Sequence, residues 1–363
     1  MSVVEPSVGP PVGPPVGPPV GPAVEAVRRS RSRRSRRYVV VVSVLAALAL
    51  VIAALSLCVG AYTLSVPDVI RTLLGGGEGR ESFVVLQLRA PRLVLGIITA
   101  ICFAVAGALF QTLLRNPLAS PDIIGVSGGA SLAAVFAILV LGLGGLTVSL
   151  FAFAGALVVA AAIYMLAARG GLNGYRFVLI GIGMAFIVNA ALNFMITRAE
   201  VRDAQEALVW LVGSLGSARW PEIALIALCA AVLLPLVAVM APRLRMLQLG
   251  DDTALGLGVH AERMRLVLLI LAVALVAVAT AAVGPIAFVA FVSAPIARRI
   301  VATGGLALVP SALVGVIVVT LSDFVAQHLL GSVTVPVGVI TGVVGAPYLL
   351  WLLTTSGRNG RGD

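Results

Sequence analysis

The chain has no lysine; all 25 of its basic residues are arginine. The phosphate-binding loop of nucleotide hydrolases needs a Gly-Lys pair, so nucleotide binding by that device is excluded. Cysteine is scarce, and Cys58, Cys102 and Cys229 sit in apolar runs without metal-ligand spacing, which leaves them as packing residues. The two histidines, His260 and His328, are too far apart in sequence to suggest a local metal centre or proton relay. A His-Glu-x-x-His helix is absent, as are paired carboxylates within an apolar run. Catalysis by this polypeptide is therefore not expected. Charge of either sign is also rare, at 11% of residues, against about 25% in soluble domains.

What fills the space is hydrocarbon: 60% of the residues are hydrophobic and the mean hydropathy is +1.12. An integral membrane protein follows. The formal charge of +10 would suggest nucleic acid in a soluble protein. In a membrane protein arginine accumulates on cytoplasmic loops instead, so no nucleic-acid partner is expected.

Residues 1–27 carry the repeat Val-Gly-Pro-Pro, too rich in proline and glycine for a packed element. Seven arginines follow between Arg28 and Arg37, immediately before the first apolar run. The expectation is a disordered, then basic, cytoplasmic tail over 1–37, a transmembrane domain over 38–355 and a short cytoplasmic tail over 356–363. Ten apolar runs occupy about 39–62, 93–114, 121–142, 146–168, 177–197, 222–241, 266–283, 285–301, 308–330 and 334–353. Each is read as a membrane helix, since about 20 residues at 1.5 Å rise cross a core of about 30 Å. With both termini inside, 18 arginines fall on the cytoplasmic side and seven outside. Two halves of five helices would lie in opposite orientations, as in inverted-repeat transporters.

Asp323, near the outer end of the ninth run, reads as a polar residue satisfied by neighbouring helices or the surface, with a proton site as the other reading. Small residues such as Gly125, Gly128, Gly129, Gly181 and Gly183 let helix backbones approach closely. The loop from Arg243 to Arg265 holds Gly250-Asp251-Asp252-Thr253, a helix start in which Asp and Thr cap free amides, and Gly256 and Gly258, which stop it after little more than a turn. Such a surface helix suits either partner docking or plain connection.

Six motifs in order carry a resemblance over residues 60 to 353. They are Leu-Arg-Ala-Pro-Arg ending at Arg92; Gly107 with Gln111; Arg-Asn-Pro-Leu-Ala-Ser-Pro-Asp-Ile-Ile-Gly-Val from Arg115; Gly-Asp-Asp-Thr-Ala-Leu-Gly-Leu-Gly-Val from Gly250; Gly-Pro-Ile-Ala-Phe-Val from Gly284; and Val-Pro-Val-Gly-Val-Ile-Thr from Val335. Together they resemble the permease subunits of iron-siderophore and cobalamin ABC importers. The resemblance implies an all-α, polytopic, BtuC-like permease fold with about ten transmembrane helices in the cytoplasmic membrane. It implies a second permease subunit (homo- or heterodimer), two ATP-binding subunits that hold ATP and Mg, and an extracytoplasmic substrate-binding protein. No cofactor or metal is implied for this chain itself. Arg89, Arg92 and Gln327 become docking positions for the binding protein. Gly250, Asp251, Asp252, Ala254, Gly256 and Gly258 become the helix that couples to the ATPase. Gly107, Gln111, Asn116, Pro117, Gly125, Ser127 and Gly128 become pathway or helix-packing positions.

Two positions depart from the family pattern. Pro295-Ile296 stands where members often have Pro-His, and Gln327 where many have arginine, which removes a third docking charge. The Gln327 variant, the Gly250 motif and Arg-Phe-Val-Leu-Ile-Gly-Ile-Gly from Arg176 are similar to ferric enterobactin permeases. A ferric catecholate siderophore is therefore the favoured substrate. Another iron chelate, haem or cobalamin stands as the alternative, and an ion-coupled carrier as the more remote one.

Overall fold

A segment in hydrocarbon has no water to bond its backbone, so each apolar run must close its own hydrogen bonds as a helix. The computed structural model describes residues 20–122, 125–167, 174–302, 305–329 and 335–356, and among these every regular element is helical. Helix α1 runs Val20–Cys58, followed by the short α2, Val66–Leu73, and the single turn α3, Gly79–Ser82. A π-helical stretch, Phe83–Arg89, then leads without a break into α4, Ala90–Leu113. Next come α5 (Val126–Leu139), α6 (Leu146–Ala167), α7 (Gly174–Arg198), α8 (Val201–Val212) and α9 (Trp220–Gln248). The set closes with α10 (Asp251–Gly256), α11 (Ala261–Val283), α12 (Val289–Val301), α13 (Leu308–His328) and α14 (Val337–Ser356).

Among the described residues seven stretches are long and apolar enough to cross a bilayer: Val27–Cys58, Gly79–Leu113, Leu146–Ala167, Tyr175–Arg198, Trp220–Gln248, Ala261–Val283 and Leu308–His328. Of the other three expected spans, two are shorter and the last forms α14, 20 residues long. The run 121–142 yields helix only from Val126, because Gly125 takes a left-handed φ of 93°. The run 285–301 yields helix only from Val289, because Phe288 sits at φ 65°. At 13 residues, α12 is only about 20 Å long and does not cross a bilayer alone. The last run keeps an apolar helical stretch of Val337–Leu352.

The expected N-terminal tail also differs. Residues 1–19 lie outside the described residues, and from Val20 the chain is helical through the basic run. The sequence Ala-Val-Glu-Ala-Val-Arg-Arg carries no proline or glycine, and Glu25 pairs with Arg29 one turn on at 2.8 Å.

Helix α4 is the axis of the bundle, packed against α9, α11, α12 and α13. Between α5, α6 and α7 a second group forms, joined to the rest through α11, and α1 lies along α13. Lipid tails are as apolar as leucine, so burial supplies little drive here and close backbone packing must supply it. Gly107 on α4 lies against the backbone of Ala290, and Gly315 on α13 against Ala100 and Ala104. Gly129 and Gly155 face each other across α5 and α6, where a Cβ on either would strike the other's backbone.

Gly107→Ala places a methyl group on the Ala290 carbonyl and should cost about 2–3 kcal/mol, read as a lower melting temperature in detergent and lower abundance in the membrane. Gly144→Ala, where no atom lies within 4 Å of the new carbon, should leave both unchanged.

Candidate functional site

Two ends of the bundle, its interior and two cavities hold the residues singled out above. At the first end, Arg89 leaves the π-helical stretch and turns inward. Its two terminal nitrogens donate to the carbonyls of Leu57 and Tyr62, both at 2.6 Å. Leu57 lies in the last turn of α1, where carbonyls have no helical donor, so the guanidinium caps that helix. Arg92, one turn into α4, forks onto Asp323 of α13: Nε donates to both carboxylate oxygens at 3.0 Å and Nη2 to Oδ1 at 2.7 Å. Gln327 Nε2 completes the group by donating to Asp323 Oδ2 at 2.6 Å. Arg92 and Gln327 thus meet on one carboxylate, with Arg89 engaged separately on backbone. Asp323 is a satisfied polar residue with two partners, and its carboxylate is 9% exposed against 24% for Arg92.

At the opposite end, α10 is set between Gly250 at φ 108° and Gly258 at φ 79°. The helix start is made by the backbone of Gly250 and not by a side-chain cap. Asp251 instead accepts a hydrogen bond from Arg265 at 2.6 Å, tying the turn to α11. Ala254 is buried beneath it while Leu255 and Leu257 stand exposed, so the turn presents an apolar tip.

The residues grouped as pathway or packing positions separate into three places. Gly107 and Gln111 are buried within the bundle. Gln111 Nε2 donates to the Phe291 carbonyl of α12 at 2.9 Å. That carbonyl would ordinarily accept from the residue four positions on, which is Pro295 and has no N–H. The glutamine on α4 therefore supplies the donor that the proline on α12 withholds. Asn116 and Pro117 lie in the turn after α4, where Asn116 Oδ1 accepts from the Leu118 N–H at 2.9 Å. Together with Gln111 they line a polar cavity of ≈ 470 Å³ that also holds Arg115 and Arg298.

Gly125, Ser127 and Gly128 share a second opening. They line a cavity of ≈ 390 Å³ with Asp122, Ser131 and Asn189. Ser127 donates to Asp122 there. Gly125-Val126-Ser127-Gly128-Gly129 spells Gly-x-Ser-x-Gly, the pattern of a hydrolase nucleophile elbow. Here a turn and not a strand precedes the serine, and its hydroxyl is spent on a carboxylate, so it is no nucleophile elbow. Among the described residues no group of three or more His, Cys, Asp or Glu side chains is placed to hold a metal ion.

Three contributors escaped the sequence reading. The helix α8 lies in a stretch whose Arg202, Asp203 and Glu206 read as loop, yet its Leu211 and Val212 wall the cavity. Asn189 stands in an apolar run where a single amide gives no periodic signal. Arg298 reaches back to α4 and donates to the Ala108 carbonyl at 3.2 Å and to Thr112 Oγ1 at 2.8 Å; only its place in Ala-Pro-Ile-Ala-Arg-Arg hinted at a role.

The sequence model of the FecCD transport family matches residues 47–355. The chain is 36% identical over 329 residues to the Fe(3+)-citrate import system permease protein YfmE of Bacillus subtilis, covering 90% of this chain and 98% of the relative. It is 35% identical over 324 residues to the ferric enterobactin transport system permease protein FepG of Escherichia coli, covering 89% and 98%. With the vitamin B12 import system permease protein BtuC of Salmonella typhi the figures are 33% over 334 residues, 91% and 98%. Among solved structures, a metal-chelate type ABC transporter in an inward-facing conformation superposes with a TM-score of 0.77 over 86% of this chain and 98% of the other, at 24% identity. The fold is thereby the BtuC-like permease fold.

Two sets of variants test these contacts. Gln111→Leu should destabilise the protein by about 1–3 kcal/mol, the cost of an unpaired buried carbonyl. In a Pro295→Ala background, which restores a backbone N–H to Phe291, the same change should cost markedly less in detergent melting curves. Arg92→Met or Asp323→Leu alone should each cost about 2–3 kcal/mol by leaving its partner uncompensated, whereas the double variant should lie closer to wild type than either. Purely additive losses would show that the pair is not coupled.

Proposed function

The chain belongs to the FecCD transport family, and from that premise we propose that it forms one permease half of an importer for a ferric siderophore, of the catecholate type. It is a multi-pass membrane permease and not an enzyme, ATP hydrolysis residing in a partner subunit. In this reading a second permease completes the pathway, two ATP-binding subunits sit below and a substrate-binding protein delivers the chelate from outside. In this reading both termini face the cytoplasm; the arginine-rich start of α1 lies at the same end as Arg245, since Tyr38 and Arg245 line one groove.

The observation that carries the transport reading is the outer face of α7. Asn189 and Asn193 are exposed on a helix long and apolar enough to cross the bilayer, and Gly183 has no atom near its missing side chain. Amides facing lipid would be costly, so this face is suited to a water-lined pathway shared with a second permease. It is continuous with the cavity of Gly125, Ser127 and Gly128, which Asn189 also lines.

The ends then take different partners. The exposed apolar tip of α10, held by glycines on either side, fits a cleft on an ATPase subunit, and Gly250, Asp251, Asp252, Ala254, Gly256 and Gly258 act together as that coupling element. At the other end, docking through Arg92 means that an incoming carboxylate shares the guanidinium fork with Asp323, with Gln327 as a neutral neighbour. Arg89 contributes by holding the end of α1 in place beneath the docking surface. The substrate class rests on the relatives: permeases for ferric citrate and ferric enterobactin match at 36% and 35% identity, and the Gln327 and Gly250 motifs favour the catecholate.

The test is radiolabelled iron uptake in a deletion strain supplied in turn with catecholate, hydroxamate, citrate and haem complexes, and with labelled cobalamin. Catecholate uptake should fall to background and return when the gene is restored, while the others persist. Catecholate uptake that is equal with and without the gene would overturn the substrate assignment.

A further inference from the structure

The polar cavity beside Asn116 continues into a second opening. Beyond Gly305 and Ala307, which line both, runs a groove of ≈ 640 Å³ between α1, α4, α9 and α13. Its walls are hydrocarbon, including Ile101, Val105, Leu234, Val237 and Leu308, and Tyr38 and Arg245 stand among its lining. From Leu234 to Arg245 along α9 is about 16 Å at helical rise, close to the depth of one leaflet. The linings of the cavity and of the groove beside it carry arginine and no carboxylate: Arg115 and Arg298 line the cavity and Arg245 the groove. None of the three arginines forms an ion pair among the described residues. Arg115 spends one N–H on the Leu247 carbonyl and Arg298 one nitrogen on α4, so most of each guanidinium fork is unspent.

A third observation points the same way. The exposed arginine helix Arg28–Arg37 joins the bundle at this mouth: Arg37 donates to the Ile300 carbonyl at the end of α12 at 3.0 Å, and the next residue, Tyr38, lines the groove.

From the continuity of an acyl-length apolar groove with an uncompensated arginine pocket, we infer that this face is a binding site for an anionic phospholipid. The phosphate sits between Arg115, Arg298 and Arg245, and a chain lies along α9. Basic pockets between helices suit acidic headgroups, and guanidinium forks match phosphate oxygens two at a time. The orientation proposed above enters only in assigning the lipid to the cytoplasmic leaflet.

The full chain, purified in mild detergent with whatever subunits accompany it, is to be titrated with dioleoylphosphatidylglycerol, dioleoylphosphatidylcholine and inorganic phosphate, and bound lipid counted by native mass spectrometry. Phosphatidylglycerol should be retained in preference to phosphatidylcholine, and inorganic phosphate should not displace it. Arg245→Gln should weaken phosphatidylglycerol binding roughly fivefold; Arg115 and Arg298 are kept because their bonds to Leu247 and to α4 support the fold. Ala238→Phe, on the groove wall, should reduce retention of both lipids. Equal retention of the two lipids, full binding by either variant, or displacement by phosphate would each overturn the inference. Because the readout is lipid on purified protein, a chain that proves to carry a different substrate leaves the result unchanged.

Discussion

A carbonyl oxygen without a donor inside a bilayer has no water to turn to, and this fold depends on how such oxygens are answered. The last turns of α1, α9 and α12 each expose carbonyls that their own helix cannot satisfy. Arg89 takes Leu57 at the end of α1, Arg115 takes Leu247 at the end of α9 and Arg37 takes Ile300 at the end of α12. The gap inside α12 is filled by Gln111. Because every donor comes from a different element than its acceptor, closing these loose ends is also what fixes the helices against one another. Short pieces such as α12, which cannot cross the membrane alone, are held at membrane depth this way.

Arginine is suited to this work in a manner that lysine is not. Its planar fork reaches two acceptors at once, as Arg89 does with Leu57 and Tyr62, and its charge favours the negative end of a helix dipole. The same chemistry, only partly spent at Arg115 and Arg298, leaves cationic surface where helix ends gather. Packing and electrostatics are thus two uses of one side chain.

The long spans were legible because hydropathy alone forces them: α4, α11 and α13 lie where uninterrupted apolar runs predicted them. The breaks were harder. Gly125 marks one openly, but nothing in a phenylalanine announces a left-handed φ, and Phe288 makes the expected eighth span start late. α8 hid behind its charges. At the candidate site, Asp323 could be read as satisfied, since an acid in an apolar run needs partners. The direction of Arg89 could not be read, because a sequence displays the charge but not the orphan carbonyl 32 positions away that claims it. Gln111 was singled out by resemblance, and its purpose emerges only when Pro295 is found opposite.

That last pair implies an order of events. A chain that acquired the proline first would have passed through a form with a bare carbonyl in its core, and selection in a marginally stable protein removes such forms. A chain that acquired the glutamine first would merely have carried a spare amide, able to bond elsewhere until needed. Once both are present the glutamine is not free to leave while the proline remains. Positions 111 and 295 are therefore a ratchet: in descendants of this lineage they should persist together or be lost proline first.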